Sequence, residues 1–325
     1  MTDGEIENDI INDIKKSYGI ICNEMSPVSG GHLNLKWKAS CAKGDFLIKQ
    51  FNDKRFDHKD LENVEAALQR QILLKKRGIC CPEILLCKEK ALRRTDNGTV
   101  YMVMVFCEGE KSTPQNITLL QMRSLGEEIG KMHTAFLQLE ASEVKTLPQP
   151  GGYTQGTLIA PLRNRTEIIP ADAPQKYRDA LLKALSLANT IGNCFFEKFS
   201  QGWAHEDIQP GNILFEKDRV SAILDFDRCC HSYPAHDIGR AILSFALING
   251  VLDIRKIREF IEGYTLHLPL DIGDIENALR LTWSIEAVWW LRTEFFGECD
   301  EIPKRFLEEN LFTLAYWHEL SELLT

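Results

Sequence analysis

Three side chains with hard oxygen atoms stand close together in the sequence: Asp207, Asn212 and Asp225. They lie in Trp203-Ala204-His205-Glu206-Asp207-Ile208-Gln209-Pro210-Gly211-Asn212 and, further on, in Ala222-Ile223-Leu224-Asp225-Phe226-Asp227. Between the two polar clusters, Ile213-Leu214-Phe215 and Val220 to Phe226 flank the turn Glu216-Lys217-Asp218-Arg219 and read as an apolar β-hairpin. A hairpin returns its ends to one place, so Asp207 and Asp225 should converge although eighteen positions separate them. Mg²⁺ favours a carboxylate or two, an amide oxygen and substrate phosphates over an all-protein cage, and Asn212 with Asp225 is a set of that type. Asp207 is then left to accept a proton from a hydroxyl.

The elements that must hold these groups follow from periodicity. Leu33, Leu35, Trp37 and Ala39 alternate with polar residues, Cys41 to Asp45 supplies a Gly-containing turn, and Phe46 to Phe51 resumes the strand. Lys49 sits in this otherwise apolar strand on the face of Leu47 and Phe51, where a cation needs an anion unless it snorkels from a sheet edge. Leu61, Val64, Leu68 and Ile72 then share one helical arc that Gly78 ends. Strand character returns at Ile84-Leu85-Leu86 and at Tyr101 to Phe106, about the turn Asp96-Asn97-Gly98. Beyond this point helices dominate, with one apolar stripe through Met122, Leu125, Ile129, Met132, Phe136 and Leu139 and another through Leu181, Leu185, Ala188, Phe195 and Phe199. Pro148 to Pro174, rich in Pro and Gly, reads as a loop. The expected class is α+β, with a small antiparallel sheet in residues 1–107 and a mainly helical lobe in residues 108–325.

Composition sets outer limits. A chain of 325 residues suits two compact units or one with two lobes, and 44% hydrophobic with 26% charged residues excludes a disordered or fibrous chain. The net charge of -9 repels a phosphate backbone, which argues against nucleic acid as a partner. The ten cysteines fall mostly in apolar runs, such as Ile79-Cys80-Cys81, without C-x-x-C spacing, and read as reduced thiols. The acidic N-terminus leads into no apolar signal segment and no run is long enough to span a bilayer, so the expected location is the cytoplasm, with no membrane partner.

At His205, Asp207, Asn212 and Asp225 the sequence resembles the phosphotransferases of the protein-kinase-like fold, whose catalytic loop is H-x-D-x-x-x-x-N followed by a metal-binding Asp after a hairpin. Asp225-Phe226-Asp227 in place of D-F-G, and Gln209 in place of the loop Lys, resemble the aminoglycoside phosphotransferase and choline kinase family. Eleven residues separate Asp225 from Asp237 and no A-P-E follows, which leaves no room for a peptide-docking segment and favours a small-molecule acceptor. The resemblance implies a two-lobed kinase that uses ATP and Mg²⁺, with Asp207 as catalytic residue and Asn212 and Asp225 as metal ligands. It implies that Gly30 and Gly31 cover the phosphates, that Lys49 contacts them while paired with Glu65, and that the backbone near Cys107, in Val103 to Gly109, holds adenine. Asp237 would hold the catalytic loop from below or cap the following helix, His205 would buttress the loop, and Glu206 departs from the family's Gly.

For the acceptor only composition remains. Trp283, Glu286, Trp290 and Glu294 fall on one helical arc, a pattern that suits either an aromatic and acidic wall for an amine or a packed core. An aminoglycoside, an amino alcohol such as choline, homoserine or a sugar all fit the resemblance. A different expectation is a non-catalytic module that keeps the kinase fold for binding or structure, as in spore-coat-type relatives; the intact Lys49, Asp207, Asn212 and Asp225 argue against it.

Overall fold

The structure, a computed structural model, describes residues 2–28, 34–52, 56–139, 152–296 and 301–325. Helix α1 (Asp3–Tyr18) opens on a capping box between Thr2 and Glu5 and ends at Gly19, whose φ of 63° suits a residue without a side chain. Five strands follow: β1 (Cys22–Pro27), β2 (Lys36–Cys41), β3 (Gly44–Phe51) and, after helix α2 (His58–Lys76), β4 (Arg93–Arg94) and β5 (Val100–Val105). They form one antiparallel sheet in the order β1-β2-β3-β5-β4. Period-two alternation gives each face its own core. Trp37, Phe46, Ile48, Tyr101 and Val103 pack on Ile10 and Ile14 of α1, while Phe51, Val100, Met102 and Met104 pack on Val64 and Leu68 of α2. Lys49 lies opposite Met102 in the register and so falls on the α2 side.

The expected strand at Ile84 to Leu86 is reduced to one bridge, Ile84 with Met104. Pro82 precedes it and a turn between Cys87 and Lys90 follows, so too few residues stay in register. The linker out of the sheet is tied at once, because Glu110 and Phe215 exchange both backbone hydrogen bonds at 2.8 Å.

The rest of the chain is mainly helical: α3 (Leu119–Leu137), α4 (Gln155–Glu167), α5 (Gln175–Thr190) and α6 (Asn193–Glu197) come first. A short β6 (Gly202–Ala204), the hairpin β7 (Ile213–Glu216) and β8 (Arg219–Ile223), and β9 (Cys230–Ser232) carry the polar clusters. Then come α7 (Pro234–Ala246), β10 (Leu247–Ile248), β11 (Val251–Leu252), α8 (Ile254–Tyr264), α9 (Ile272–Trp290), α10 (Glu301–Ala315) and α11 (Leu320–Leu323). Two expectations need correction here. Within Pro148 to Pro174 lies α4, a helix that holds Pro161 in its interior and buries Leu158 and Leu162. The stripe from Leu181 to Phe199 is not one helix, since α5 stops at Thr190 and Phe195 belongs to α6.

One helix pair sets the base of the helical part. Gly126 of α3 and Gly263 of α8 let the backbones touch, for a Cβ on Gly126 would lie 2.0 Å from the Phe260 carbonyl oxygen and one on Gly263 would lie 1.9 Å from that of Arg123. The largest apolar cluster runs from α3 through the β7–β8 hairpin to α7 and α8, directly under the polar loop.

Candidate active site

The loop from His205 to Asn212 joins β6 to β7, and its shape is fixed from below. Asp237, in the first turn of α7, is fully buried and accepts the backbone N–H groups of His205 at 2.7 Å and Glu206 at 2.8 Å. Burial alone would raise its pKa, but the bond from His133 and these loop amides outweigh it and hold the carboxyl below its ordinary range. His133 Nε2 therefore donates to Asp237 at 3.1 Å, and Nδ1 accepts from the Tyr264 hydroxyl at 2.9 Å. His205 works in the other direction. Its Nε2 donates to the Leu224 carbonyl at 2.9 Å, its Nδ1 accepts from the Asp207 backbone N–H at 3.2 Å, and its ring packs edge-on to Phe226. One neutral imidazole thus joins the start of the loop to the end of the hairpin.

The hairpin does bring the separated residues together. The Asn212 amide donates to the Asp207 carboxylate at 2.7 Å and to its backbone carbonyl at 2.9 Å, while Leu224 N–H closes onto the Asn212 carbonyl at 2.7 Å. Both partners of that amide are acceptors, so its nitrogen faces Asp207 and Oδ1 is the atom left for a cation. Asp225 follows with φ 64°, a left-handed conformation that turns its carboxylate toward the sheet. There Lys49, 3% exposed, pairs with Asp225 at 2.8 Å and also with Asp227, and Lys36 lies 3.5 Å from Asp225. Burial opposes charge on Lys49, yet the carboxylates of Asp227 and Asp225 outweigh it and raise its pKa. Burial likewise opposes charge on Asp225, but Lys49 and Lys36 lower its pKa, whereas Asp227 is raised by burial and by the Asp225 charge beside it. Asp227 also keeps one buried oxygen, Oδ1, without a hydrogen-bond partner. An amide oxygen, a carboxylate held ionised and a bare carboxylate oxygen fit a hard divalent cation that completes its shell with phosphate.

Several expected residues fall elsewhere. Glu65 does not pair with Lys49; it accepts the backbone N–H groups of Ala91 at 3.0 Å and Leu92 at 2.8 Å, together with the Gln69 amide at 2.8 Å, and so caps amides just past the turn at Lys88 and Glu89. Trp283 is 1% exposed and packs on Trp317 in the core rather than lining a pocket. Glu286 is buried with both oxygens in use, Oε1 bound by His236 at 3.0 Å and Oε2 by Arg240 at 3.0 Å and Trp290 at 3.2 Å. Trp290 stacks on Phe306, and Glu294 leaves the arc altogether because α9 ends at Trp290 and Glu294 sits on an exposed 3-10 turn near Arg292. Cys107 lies in the linker after β5, and Gly30 and Gly31 lie outside the described residues.

Four residues near the site were not among the expected site residues. Asp227 is the second partner of Lys49. Arg70 of α2 is buried, donates to the Cys229 carbonyl at 2.5 Å and stacks on Trp203, tying α2 to the turn after Asp225. Arg305 of α10 reaches Gln209 of the loop at 3.0 Å. Arg228 stands on the turn itself. Only Asp227 and Arg228, next to the motif in sequence, offered any signal; the other two depend on tertiary placement.

Known proteins share the fold that carries this site. A homoserine kinase of Rhodopseudomonas palustris (strain BisA53) is 23% identical over 294 residues, which cover 90% of this chain and 85% of that one. Among solved structures, a spectinomycin phosphotransferase in complex with ADP and spectinomycin superposes with a TM-score of 0.64 at 16% identity, over 96% of this chain and 98% of that one. A choline kinase from Streptococcus pneumoniae gives 0.57 at 15% identity, over 96% and 99%. The architecture is thus the bilobal α+β protein-kinase-like fold. Residues 24–266, the loop, the hairpin and most of the sheet included, match the phosphotransferase enzyme family, and the chain belongs to that family as a kinase acting on a hydroxyl of a small molecule.

Proposed function

We propose that the protein transfers the γ-phosphoryl group of ATP, with Mg²⁺, to the hydroxyl of a small amine-bearing molecule, homoserine being the acceptor that its sequence relatives favour. The observation that carries this reading is the meeting of Asp207, Asn212 and Asp225 at the end of one hairpin, across from the buried ammonium of Lys49. Asp207 has one oxygen bound by Asn212 and another left to accept the acceptor's proton. Lys49, fixed by Asp225 and Asp227, presents a positive charge where phosphates would lie, and positioning with electrostatics is most of what such a transfer needs. Bound Mg²⁺ would neutralise phosphate oxygens, with Asn212 and Asp225 as its protein ligands. The nucleotide cleft is proposed between a lobe of residues 1–107 and one of residues 108–325, with adenine against the backbone near Cys107.

ADP release across a panel of amino acid alcohols, amino alcohols, aminoglycosides and sugars tests the reading. One acceptor class should raise ADP release well above the acceptor-free rate. Asp207→Asn should keep the thermal shift given by Mg²⁺-ATP while losing turnover about 10³-fold. A variant with near-normal turnover would overturn the assignment.

A further inference from the structure

A second cation of the sheet reaches Asp225. Strands β2 and β3 pair antiparallel with Lys36 directly opposite Lys49, so both side chains leave the same face. The backbone of Lys36 is fixed there, its carbonyl accepting the Val28 N–H at 2.9 Å. Its ammonium comes to 3.5 Å from Asp225 Oδ2, while Lys49 binds Oδ1 at 2.8 Å. One carboxylate thus has a cation at each oxygen.

The lysines of this face are committed to different degrees. Lys49, 3% exposed, is shared between Asp225 and Asp227 and lies over the Phe51 ring. Lys38, two positions along β2 from Lys36, is engaged by Asp45 at 2.8 Å and Glu108 at 3.4 Å and covers the Phe106 ring. Lys36 keeps 19% of its side chain open and stands beyond good hydrogen-bond distance from the oxygen it faces. It is a charge with surface and donors to spare, at the end of the sheet where Asp225 lies.

Like charges directly opposite each other on paired strands destabilise a sheet. Asp225 already has a counter-charge in Lys49, so its own needs do not account for a second ammonium across the strand. A polyphosphate does account for it, because it brings more negative charge than one lysine can match. An ammonium on a flexible stem, with three donors, can also turn from a carboxylate to a phosphate without moving its strand.

We propose that Lys36 is a second phosphate-binding residue, which turns from Asp225 to the polyphosphate of the nucleotide and binds it beside Lys49. This rests on the kinase reading above and adds to it a residue that neither the loop motif nor the strand lysine points to. Since Lys49 holds Oδ1, Oδ2 is the Asp225 oxygen that a hard cation can claim with least competition, and Lys36 is the group set free by it. The rival role has the opposite sign. A Lys36 that only neutralised Asp225 would compete with a metal for that carboxylate, and its loss would leave Mg²⁺-ATP binding unchanged or tighter.

Isothermal titration calorimetry of the full chain with ATP, without acceptor, separates the two, in Mg²⁺ and again in EDTA. Lys36→Met should raise Kd for ATP about tenfold or more in both buffers, the loss of one charged hydrogen bond. Lys36→Arg, which keeps the charge, should stay within about threefold of the wild type, and so should Lys43→Met, which removes an exposed lysine from the β2–β3 turn. In ADP release, Lys36→Met should raise KM for ATP and leave KM for the acceptor within about twofold. An unchanged or lower Kd in Lys36→Met overturns the proposal and leaves the kinase reading standing. A loss seen in Mg²⁺ but not in EDTA also overturns it, since Lys36 would then act on the metal ligands and not on phosphate. If the wild type bound no ATP, the kinase reading would fall and this role of Lys36 with it.

Discussion

Lys49 shows how much one buried charge depends on its company. Its ammonium is held by Asp225 and Asp227 on one side and lies over the Phe51 ring on the other. Removing it leaves two adjacent carboxylates with only Lys36, 3.5 Å from Asp225, to offset them. Breaking a buried pair from one side typically costs about 3–5 kcal/mol. Lys49→Met should therefore lower stability at pH 7 by about 3 kcal/mol in urea unfolding, and the double variant Lys49→Met/Asp227→Asn should recover at least half of that, whereas an unchanged midpoint in the single variant would refute the arrangement. Lys49, Asp207, Asn212 and Asp225 were legible in the sequence because a strand period and a hairpin, both local, determine where they go. The partner of Lys49 was not. Glu65 had the right helix and the right face, but the unpaired amides of Ala91 and Leu92 engage it, and that competition is visible only once the turn between them and α2 is folded.

Helix packing decides how firmly the loop is seated. His133 of α3, Tyr264 of α8 and Asp237 of α7 form one buried chain of hydrogen bonds that ends on two amides of the loop from His205 to Asn212. Its geometry requires α3 and α8 to touch at Gly126 and Gly263. A methyl group at Gly126 would face backbone atoms 2.0 Å away, which cannot rotate aside, so the helices would have to separate. Gly126→Ala should cost roughly 2–3 kcal/mol by overpacking and reduce turnover as well. Gly4→Ala, in α1 with nothing within 4 Å, should be neutral or slightly stabilising in the same unfolding assay. The long helices α2 and α3 could be read from periodicity, and α4 could not: Pro161 interrupts its composition, and only Leu158 and Leu162 face the core. The arc through Trp283, Glu286 and Trp290 is real on α9, but the sequence did not show which side met the core, and α10 with its Phe306 covers what had suggested a binding wall.

Across the whole molecule, titratable groups are buried in a connected series: Glu206, His236, Glu286, Arg240 and Glu309. Burial opposes charge on His236, but Glu206 and Glu286 outweigh it and raise its pKa to about 10, from an ordinary 6.5. A raised pKa contributes stability that is complete below the unfolded value and is lost as pH climbs through the folded one. Thermal stability should therefore decline progressively from about pH 6.5 to about pH 10, and His236→Gln should be less stable at pH 6.5 but flatter across that window; a wild-type melting temperature constant over the window would contradict the pairing. On the acid side Asp237 and Glu286 are depressed, so their contribution is present above the ordinary carboxylate range and is lost as pH falls through their lowered values. The ties between sheet and helices carry a further meaning. Phe106 is bound to Asp45, Glu108 to Ser221, and beyond this linker Cys80 is joined to Ile223 and Arg70 to Cys229. A wide swing of the α2 side would have to break the last two, at about 1–3 kcal/mol for each buried group left unpaired. The α2 side and the helical part are therefore stitched together, and any ligand that needs them apart has those bonds to break.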